Sequence, residues 1–328
     1  MCAVLVTGGA GYVGSHACKA LSEAGYLPVV LDNLSTGHRW AVKWGPLEIG
    51  DINDQELVVN LLKQYHIEAV MHFAAFSEVG QSVRDPALYY ANNVGGSLAL
   101  LQAMRSADVN RIVFSSTCAT YGMPDRLPIR EDATQNPINP YGRSKLAVEH
   151  MLGDFAVAYG FRCAALRYFN AAGAALESGI GEAHEPETHL IPLVIATALG
   201  KRGPVEIFGT DYPTLDGTCQ RDYIHVADLA TAHLKALDLL TGAAALHAFN
   251  LGTGQGYSVR EIIAAVEEIA GHKVPQILAP RRAGDPPVLY ADPGKAREQL
   301  YWQAGQSSIA DIVSSAWLWH HGGQQLAV

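Results

Sequence analysis

The stretch Val4-Leu5-Val6-Thr7-Gly8-Gly9-Ala10-Gly11-Tyr12-Val13-Gly14 restricts the fold more than any other part of the chain. A short apolar run closed by glycine reads as a strand buried on both faces, the situation of a parallel sheet covered by helices. Ser15 to Ala24 then has helical periodicity and stops at Gly25, and Pro28-Val29-Val30-Leu31 is a second strand followed at once by Asp32. Strand, glycine-rich turn, helix, strand, acid is the order of a dinucleotide-binding unit. In such a turn the glycines permit the bend, admit a pyrophosphate close to the backbone and let helix pack on sheet. Amide dipoles at the helix start then hold the phosphates. Asp32 is placed to accept hydrogen bonds from an adenosine ribose and to repel a 2′-phosphate, which favours NAD over NADP.

Further units repeat the pattern. Leu47-Glu48-Ile49 precedes Asp51-Ile52, and Val70-Met71-His72 runs into Phe73-Ala74-Ala75. A helical segment covers about 86–107, Arg111 to Thr117 is a strand ending in hydroxyls, and Cys163 to Tyr168 is another, ending in Phe169-Asn170. The expected class is α/β: a Rossmann-type doubly wound parallel sheet in residues 1–172, with a second, smaller α+β substrate domain in 173–328. Some segments of the second are expected to pack back on the first. Ligands of open α/β sheets sit beyond the carboxyl ends of the strands, where Gly8, Asp32, Asp51, Ala74, Thr117 and Asn170 fall. Taken singly, Asp51 or Ser77 could be polar only because strand ends meet solvent.

Composition narrows the class. The net charge is −9 with no run of Lys or Arg, which gives no electrostatic footprint for nucleic acid. Five cysteines without paired spacing imply reduced thiols and a cytoplasmic protein. No His-Glu-x-x-His occurs, so no metal is expected. No basic leader is read before the first strand. The most apolar run, Leu190 to Leu199, contains Pro192 and is too short to span a bilayer.

Tyr141 and Lys145 stand four apart at a helix start, and such residues share one face with Cβ atoms roughly 5–6 Å apart. A phenol near pKa ~10 is a poor base at neutral pH, and a neighbouring cation lowers that value. The pair can therefore take a proton from a sugar or alcohol hydroxyl, although the same spacing arises by chance in lysine-rich helices. Further on, Arg221 and Arg282 are candidates for forked contacts to a diphosphate, and Phe208 for stacking on a base. Arg221-Asp222 also reads as a structural pair.

Together these motifs resemble the UDP-glucose (UDP-galactose) 4-epimerases of the extended short-chain dehydrogenase/reductase family. Thr7-Gly8-Gly9-Ala10-Gly11-Tyr12-Val13-Gly14, Tyr141-Gly142-Arg143-Ser144-Lys145 and Leu166-Arg167-Tyr168-Phe169-Asn170 carry the superfamily likeness. Phe208-Gly209-Thr210-Asp211-Tyr212-Pro213-Thr214, continuing to Arg221-Asp222-Tyr223-Ile224-His225-Val226, carries the more specific one. The resemblance implies NAD contacts at Gly8, Gly11, Tyr12, Val13, Gly14, Asp32, Asn33, Leu34, Ser35, Thr36 and Gly37. It implies others at Asp51, Ile52, Phe73, Ala74, Ala75, Ser77, Asn92, Thr117, Tyr141, Lys145 and Phe169. Tyr141 is implied as the base for the sugar 4-hydroxyl, Thr117 as its hydrogen-bonding partner, and Lys145 as the group that holds the nicotinamide ribose and lowers the phenol. Asn170, Arg221 and Arg282 are implied to meet the diphosphate of a UDP-sugar, and Glu206, Ile207, Phe208 and Asp285 the uridine. His189 and Leu190 lie nearby, and Leu289 limits room beside the sugar 2-substituent.

Three positions depart from some members: Ser77 stands where some carry lysine, His189 where others have asparagine, and Leu289 between a bulky tyrosine and a small residue. The implied activity is inversion of carbon 4 through a transient 4-keto sugar, with UDP-galactose and UDP-glucose as substrates. The alternative is a broader preference extending to N-acetylhexosamines, pentoses or uronic acids. A dehydratase or decarboxylase of the same fold needs an acid after the strand-end threonine, where this chain has Cys118-Ala119-Thr120. A non-enzymatic NAD sensor would tend to lose the Tyr/Lys pair. The resemblance also implies a homodimer through helices near 86–107 and 144–159, with Leu98, Leu100, Leu101, Val148, Met151 and Leu152 as an apolar surplus.

Overall fold

The structure is a computed structural model, and it describes residues 2–282 and 285–322. Seven parallel strands form the central sheet: β1 (Ala3–Thr7), β2 (Leu27–Asp32), β3 (Leu47–Ile49), β4 (Ile67–His72), β5 (Arg111–Thr117), β6 (Arg162–Tyr168) and β7 (Ala245–Leu251). Their order across the sheet is β7-β6-β5-β4-β1-β2-β3. Successive residues of a strand point to opposite faces, and both faces are apolar. Leu5, Leu31, Val70 and Phe114 pack with Leu61, Leu100, Val148 and Leu152 on one side. Val4, Val6, Val30 and Met71 pack with Ala17, Leu21, Leu229 and Ala236 on the other. A continuous apolar run such as Val4-Leu5-Val6 therefore has helices to meet in both directions, which is why it folds as an interior parallel strand.

The expected strands are all present. The seventh comes from 245–251 and pairs with β6 in register from Ala245↔Arg162 to Leu251↔Tyr168. It lies well beyond residue 172, so the sheet borrows an edge from the later half of the chain. The helix Val226–Leu239 likewise packs against the first helix, Tyr12–Glu23. The helix expected over 86–107 runs as Pro86–Tyr89, a π-helical turn Tyr90–Gly95, and Gly96–Ser106. A π turn holds one residue more than an α turn and is often found at functional sites. Here Asn93 leaves the turn to bind the backbone N–H and carbonyl of Phe76 at 2.9 and 3.0 Å and Ser144 Oγ at 3.1 Å.

A smaller core lies beyond the sheet, where helices Leu190–Ala198, Val259–Ala270 and Ile309–His321 pack around Ile207, Ile262, Val266 and Ile312. The Val259–Ala270 helix is fixed at both ends. Ser258 and Glu261 form a reciprocal cap, and Gly271 closes it at φ 73°, a conformation glycine adopts without steric cost. Parallel pairing of Tyr223–His225 with Asn170–Ala172 ties this region to the end of β6. No described helix is long and apolar enough to cross a membrane.

Candidate active site

The cofactor side begins at the β1 turn. A Cβ on Gly8 would lie 2.6 Å from the amide nitrogen of Ala74, and one on Gly14 would lie 2.2 Å from Gly8 O. These glycines keep the backbone open where β1, the first helix and the β4 loop converge. Gly11 N-caps the first helix without a side-chain hydrogen bond, so its leading amides are free for an anion. At the end of β2, Asp32 accepts hydrogen bonds from Ala10 N at 2.9 Å and Leu34 N at 2.8 Å. Burial pushes its carboxyl up, and those two amides oppose the rise. Gly37 closes against Ala10 and Asp32, so Asn33, Leu34, Ser35 and Thr36 form the loop around the acid.

Asp51 accepts hydrogen bonds from Asn33 Nδ2 at 2.9 Å and Asn53 N at 2.9 Å. Burial would raise it, but the bonds from Asn53 and Asn33 bring it below the ordinary carboxylate range. Ile52 is buried and packs under Gly96. Phe73 and Ala74 both donate backbone N–H to Thr7 O, at 2.9 and 3.0 Å, which carries Ala75 along the same rim. Asn92 bonds Asn93 Oδ1 at 2.9 Å, Phe169 is buried beside Leu289, and Ser77 is exposed. The open glycine cradle, unblocked helix start and ribose-height acid fit a dinucleotide. Val13 lies in the first turn of that helix. Tyr12 beside it turns its side chain away, donating to Gly173 O at 2.6 Å.

The catalytic candidates meet at the ends of β5 and the helix Pro140–Tyr159. Asn139 caps that helix by accepting from Gly142 N at 2.8 Å, and Pro140 occupies its first turn. These two residues start the helix at Tyr141. Tyr141, Lys145 and Glu149 follow at successive four-residue steps on one face. Lys145 Nζ donates to Ser115 O at 2.8 Å and sits 4.9 Å from the centre of the Phe114 ring. Burial brings its ammonium down to about 7, with Glu149 opposing. Burial and then Tyr168 push the Tyr141 phenol above its ordinary value, and a hydrogen bond with Thr117 acts the other way. Thr117 Oγ1 also accepts from Ala119 N at 3.2 Å. Lys145, whose ammonium is desolvated and donates to the Ser115 carbonyl, is not among the groups that shift the phenol here.

Glu149 and Arg167, neither of which the sequence singled out, hold this helix on the sheet. Arg167 Nη2 lies 2.6 Å from Glu149 Oε2 and Nε 3.0 Å from Oε1, with both side chains nearly fully buried. Ser116 Oγ also donates to Glu149, and Gln135 Nε2 does so at 3.1 Å. Arg167 Nη1 donates to Tyr121 Oη at 2.8 Å, and that hydroxyl donates to Asn250 Oδ1 at 2.7 Å. The carboxylate thus has a forked cation and two further donors, the condition under which a buried ion pair survives desolvation.

A second cavity of about 210 Å³ lies between the end of β6 and the smaller core. It gathers Asn170, His189, Leu190, Glu206, Phe208, Arg221, Arg282 and Asp285. Arg282 stacks over Phe208 at 4.6 Å from the ring centre. Asp285 lies 3.1 Å from Arg282 Nε and 3.7 Å from Arg221 Nη2, so one carboxylate faces two guanidinium groups, with Glu206 a second acid on the same lining. Two expected residues do not line it. Ile207 alternates into the smaller core, and Leu289 packs with Phe169, Tyr121 and Cys118, nearer the catalytic residues. Asp222 settles the Arg221-Asp222 question by dividing the pair. Its carboxylate is buried and accepts from Thr253, Gly254 and Ala291 backbone N–H groups at 2.9–3.1 Å, while Arg221 faces the cavity.

At the wall of this cavity His189 meets three residues the sequence did not mark, Glu182, His184 and Glu187. Burial alone would lower both imidazoles, but the two carboxylates outweigh it and hold them above their ordinary value. The signal available in the sequence was His184-Glu185-Pro186-Glu187-Thr188-His189, one residue longer than the zinc-protease spacing.

Comparisons with known proteins agree with this geometry. The sequence matches the NAD dependent epimerase/dehydratase family over residues 4–252. It is 53% identical over 317 residues to a UDP-glucose 4-epimerase of Rhizobium meliloti, covering 97% of this chain and 96% of that one. The structure superposes on a UDP-glucose 4-epimerase from Brucella ovis in complex with NAD with a TM-score of 0.95. Identity there is 54%, and the match covers 98% of this chain and 99% of that one. A Bifidobacterium longum UDP-glucose 4-epimerase in complex with NAD+ and UDP gives a TM-score of 0.92 at 40% identity, covering 97% and 98% of the two chains. The chain belongs to the NAD dependent epimerase/dehydratase family.

Proposed function

We propose that this chain interconverts UDP-galactose and UDP-glucose by inverting sugar carbon 4 through a transient 4-keto sugar. The observation that carries the proposal is the joining of two sites at the end of β6. Tyr141, Thr117 and Lys145 stand on one side, and a cavity lined by Arg221, Arg282 and Phe208 stands on the other. Bound NAD would supply reversible oxidation at carbon 4, held by the Gly8–Gly14 turn, Asp32 and Asp51. Tyr141 takes the 4-hydroxyl proton and returns it, with Thr117 orienting the hydroxyl. Lys145, donating to the Ser115 carbonyl at the end of β5, is the group placed to hold the nicotinamide ribose. A bound oxidised nicotinamide would add positive charge beside Tyr141 and favour its phenolate.

Arg221 and Arg282 grip the diphosphate while Phe208 stacks on the base, so the sugar is free to present either face. Inversion needs this asymmetry of grip. Leu289 beside Phe169 sets the room at the sugar, and a leucine there is compatible with a broader preference. Purified protein incubated with UDP-galactose and no added NAD is expected to form UDP-glucose. The same assay with UDP-N-acetylglucosamine reads the breadth of the site. Failure to convert UDP-galactose, with or without added NAD, would overturn the assignment.

Two domains are proposed, residues 1–172 and 173–328, with β7 of the second completing the sheet of the first. Five free cysteines suit a reducing compartment, and the cytoplasm is the proposed location. A homodimer is proposed through the helices near 86–107 and 144–159. Leu100, Leu101, Val148 and Leu152 are consumed by the chain's own core, but Leu98 is 38%, Tyr159 46% and Val157 92% exposed. Light scattering is expected to give a dimer mass for the native protein and a monomer mass for Leu98→Glu combined with Val157→Glu. A dimer in the double variant would place the interface elsewhere.

A further inference from the structure

A buried line of hydrogen bonds runs from the β1 turn to the helix Pro140–Tyr159, and the available protons fix the direction of each bond. Ser144 Oγ donates to Tyr141 O at 2.8 Å, so toward Asn93 it accepts, from Nδ2 at 3.1 Å. Ser97 Oγ donates its one proton to the Asn93 carbonyl, so it accepts from His72, whose Nε2 lies 2.9 Å away. Nε2 therefore carries the imidazole proton, and Nδ1 is the bare nitrogen that accepts from Thr7 Oγ1 at 2.7 Å. Thr7, His72, Asn93, Ser97 and Ser144 are each 2% exposed or less. A buried polar network with every member satisfied is rigid and specifies one arrangement.

We propose that His72 is a positioning residue for the reaction at Tyr141. Donating from Nε2, it holds Ser97 on the Asn93 carbonyl and so fixes the π-helical turn that braces the first turn of the Tyr141 helix. The inference rests on the reading of Tyr141 as the base.

The imidazole takes its own position from the sheet. Thr7 and His72 are paired residues at the ends of β1 and β4, and neither strand has room to shift. A serine hydroxyl bonded to the carbonyl four residues back tends to bend a helix, and Ser97 makes that bond where the turn Tyr90–Gly95 passes into the helix Gly96–Ser106. His72 locks the rotamer that makes it. Asn93 then spreads the constraint, to both backbone groups of Phe76 and to Ser144. The imidazole also has to be neutral. Its ring lies 5.6 Å from that of Phe114, which carries the Lys145 ammonium 4.9 Å from its centre. Burial and then Lys145 hold His72 down to about 3, so one nitrogen donates and the other accepts.

The test uses His72→Gln, His72→Asn and Ser97→Ala in the intact protein, with circular dichroism to count folded molecules. Glutamine puts an amide N–H near the place of Nε2 and keeps the donation to Ser97. Asparagine puts an oxygen near the place of Nδ1 and keeps only the bond from Thr7. His72→Asn and Ser97→Ala are each expected to lower kcat for UDP-galactose by about 10–100-fold, with KM within about 3-fold of native, because a reacting group displaced by about 1 Å can cost ~10²-fold. His72→Gln is expected to stay within about 3-fold of native kcat, and the double variant His72→Asn with Ser97→Ala to lose no more than either single one, since both break one link. Nitrogen NMR of isotopically labelled imidazoles, with His72 assigned by its loss in His72→Gln, is expected to show the neutral Nε2–H form from about pH 5 to about pH 9. An Nδ1–H form or an imidazolium overturns the inference whatever Tyr141 does. So does native kcat in folded His72→Asn and Ser97→Ala, or a glutamine variant no better than the asparagine one. Near-native turnover in Tyr141→Phe would overturn the base assignment and this inference with it, a result separate from the labelled spectra.

Discussion

Tyr141→Phe is expected to lower kcat for UDP-galactose by about 10²–10⁴-fold, the usual contribution of a positioned general base. The effect should fall on kcat, because Arg221, Arg282 and Phe208 hold the nucleotide from a separate cavity. The pH profile supplies the sign. A phenol serves as base only after losing its proton, so native activity rises with pH as Tyr141 ionises and is lost as pH falls. That limb should be missing from the residual activity of the phenylalanine variant. The measurement is kcat and KM for both proteins across pH. Near-native turnover in the variant, or an unchanged acid limb, would assign the proton transfer to another group.

Arg167→Met is expected to destabilise the protein by about 3–5 kcal/mol, the cost of leaving a buried carboxylate without its partner. Glu149 is desolvated on all sides, and its remaining donors, Ser116 and Gln135, are neutral. The loss should appear as a fall of several degrees in Tm. Activity should drop as well, since Glu149 lies one turn below Lys145 on the same helix. Replacing both partners, Arg167→Met with Glu149→Leu, is expected to recover much of the stability, because an apolar pair no longer strands a charge. A melting curve for the single variant within a degree of native would remove this ion pair from any account of how the helix is held.

The sequence made the cofactor half legible because its signals are local. Gly8 to Gly14 occupy one turn, Asp32 follows its own strand directly, and Tyr141 and Lys145 share a helical face. Each can be read within a few residues. Arg167 and Glu149 could not be paired this way, because one lies on β6 and the other on the preceding helix. Their meeting depends on how that helix docks. Ile207 shows the converse difficulty: it sits between two cavity residues, Glu206 and Phe208, yet strand alternation sends it into the core. Leu289 packs with Phe169 and Cys118, a contact that appears only once the chain is folded. Glu182, His184 and Glu187 went unmarked for a different reason, because residues 182–189 lie outside any helix or strand and no periodicity sets a face there.

The seventh strand carries a consequence for how the protein is made. β6 ends at Tyr168, and its neighbour β7 is not complete until Leu251. At a synthesis rate of about 5–20 residues per second, a gap of roughly 80 residues lasts about 4–16 s. Throughout that interval the growing chain on the ribosome presents β6 as an open edge, with its amides and carbonyls ready to pair with any passing strand. In the finished protein β6 is paired on both sides and β7 takes the edge, so the exposure of β6 belongs to the nascent chain alone. Its duration is set by where β7 falls in the gene.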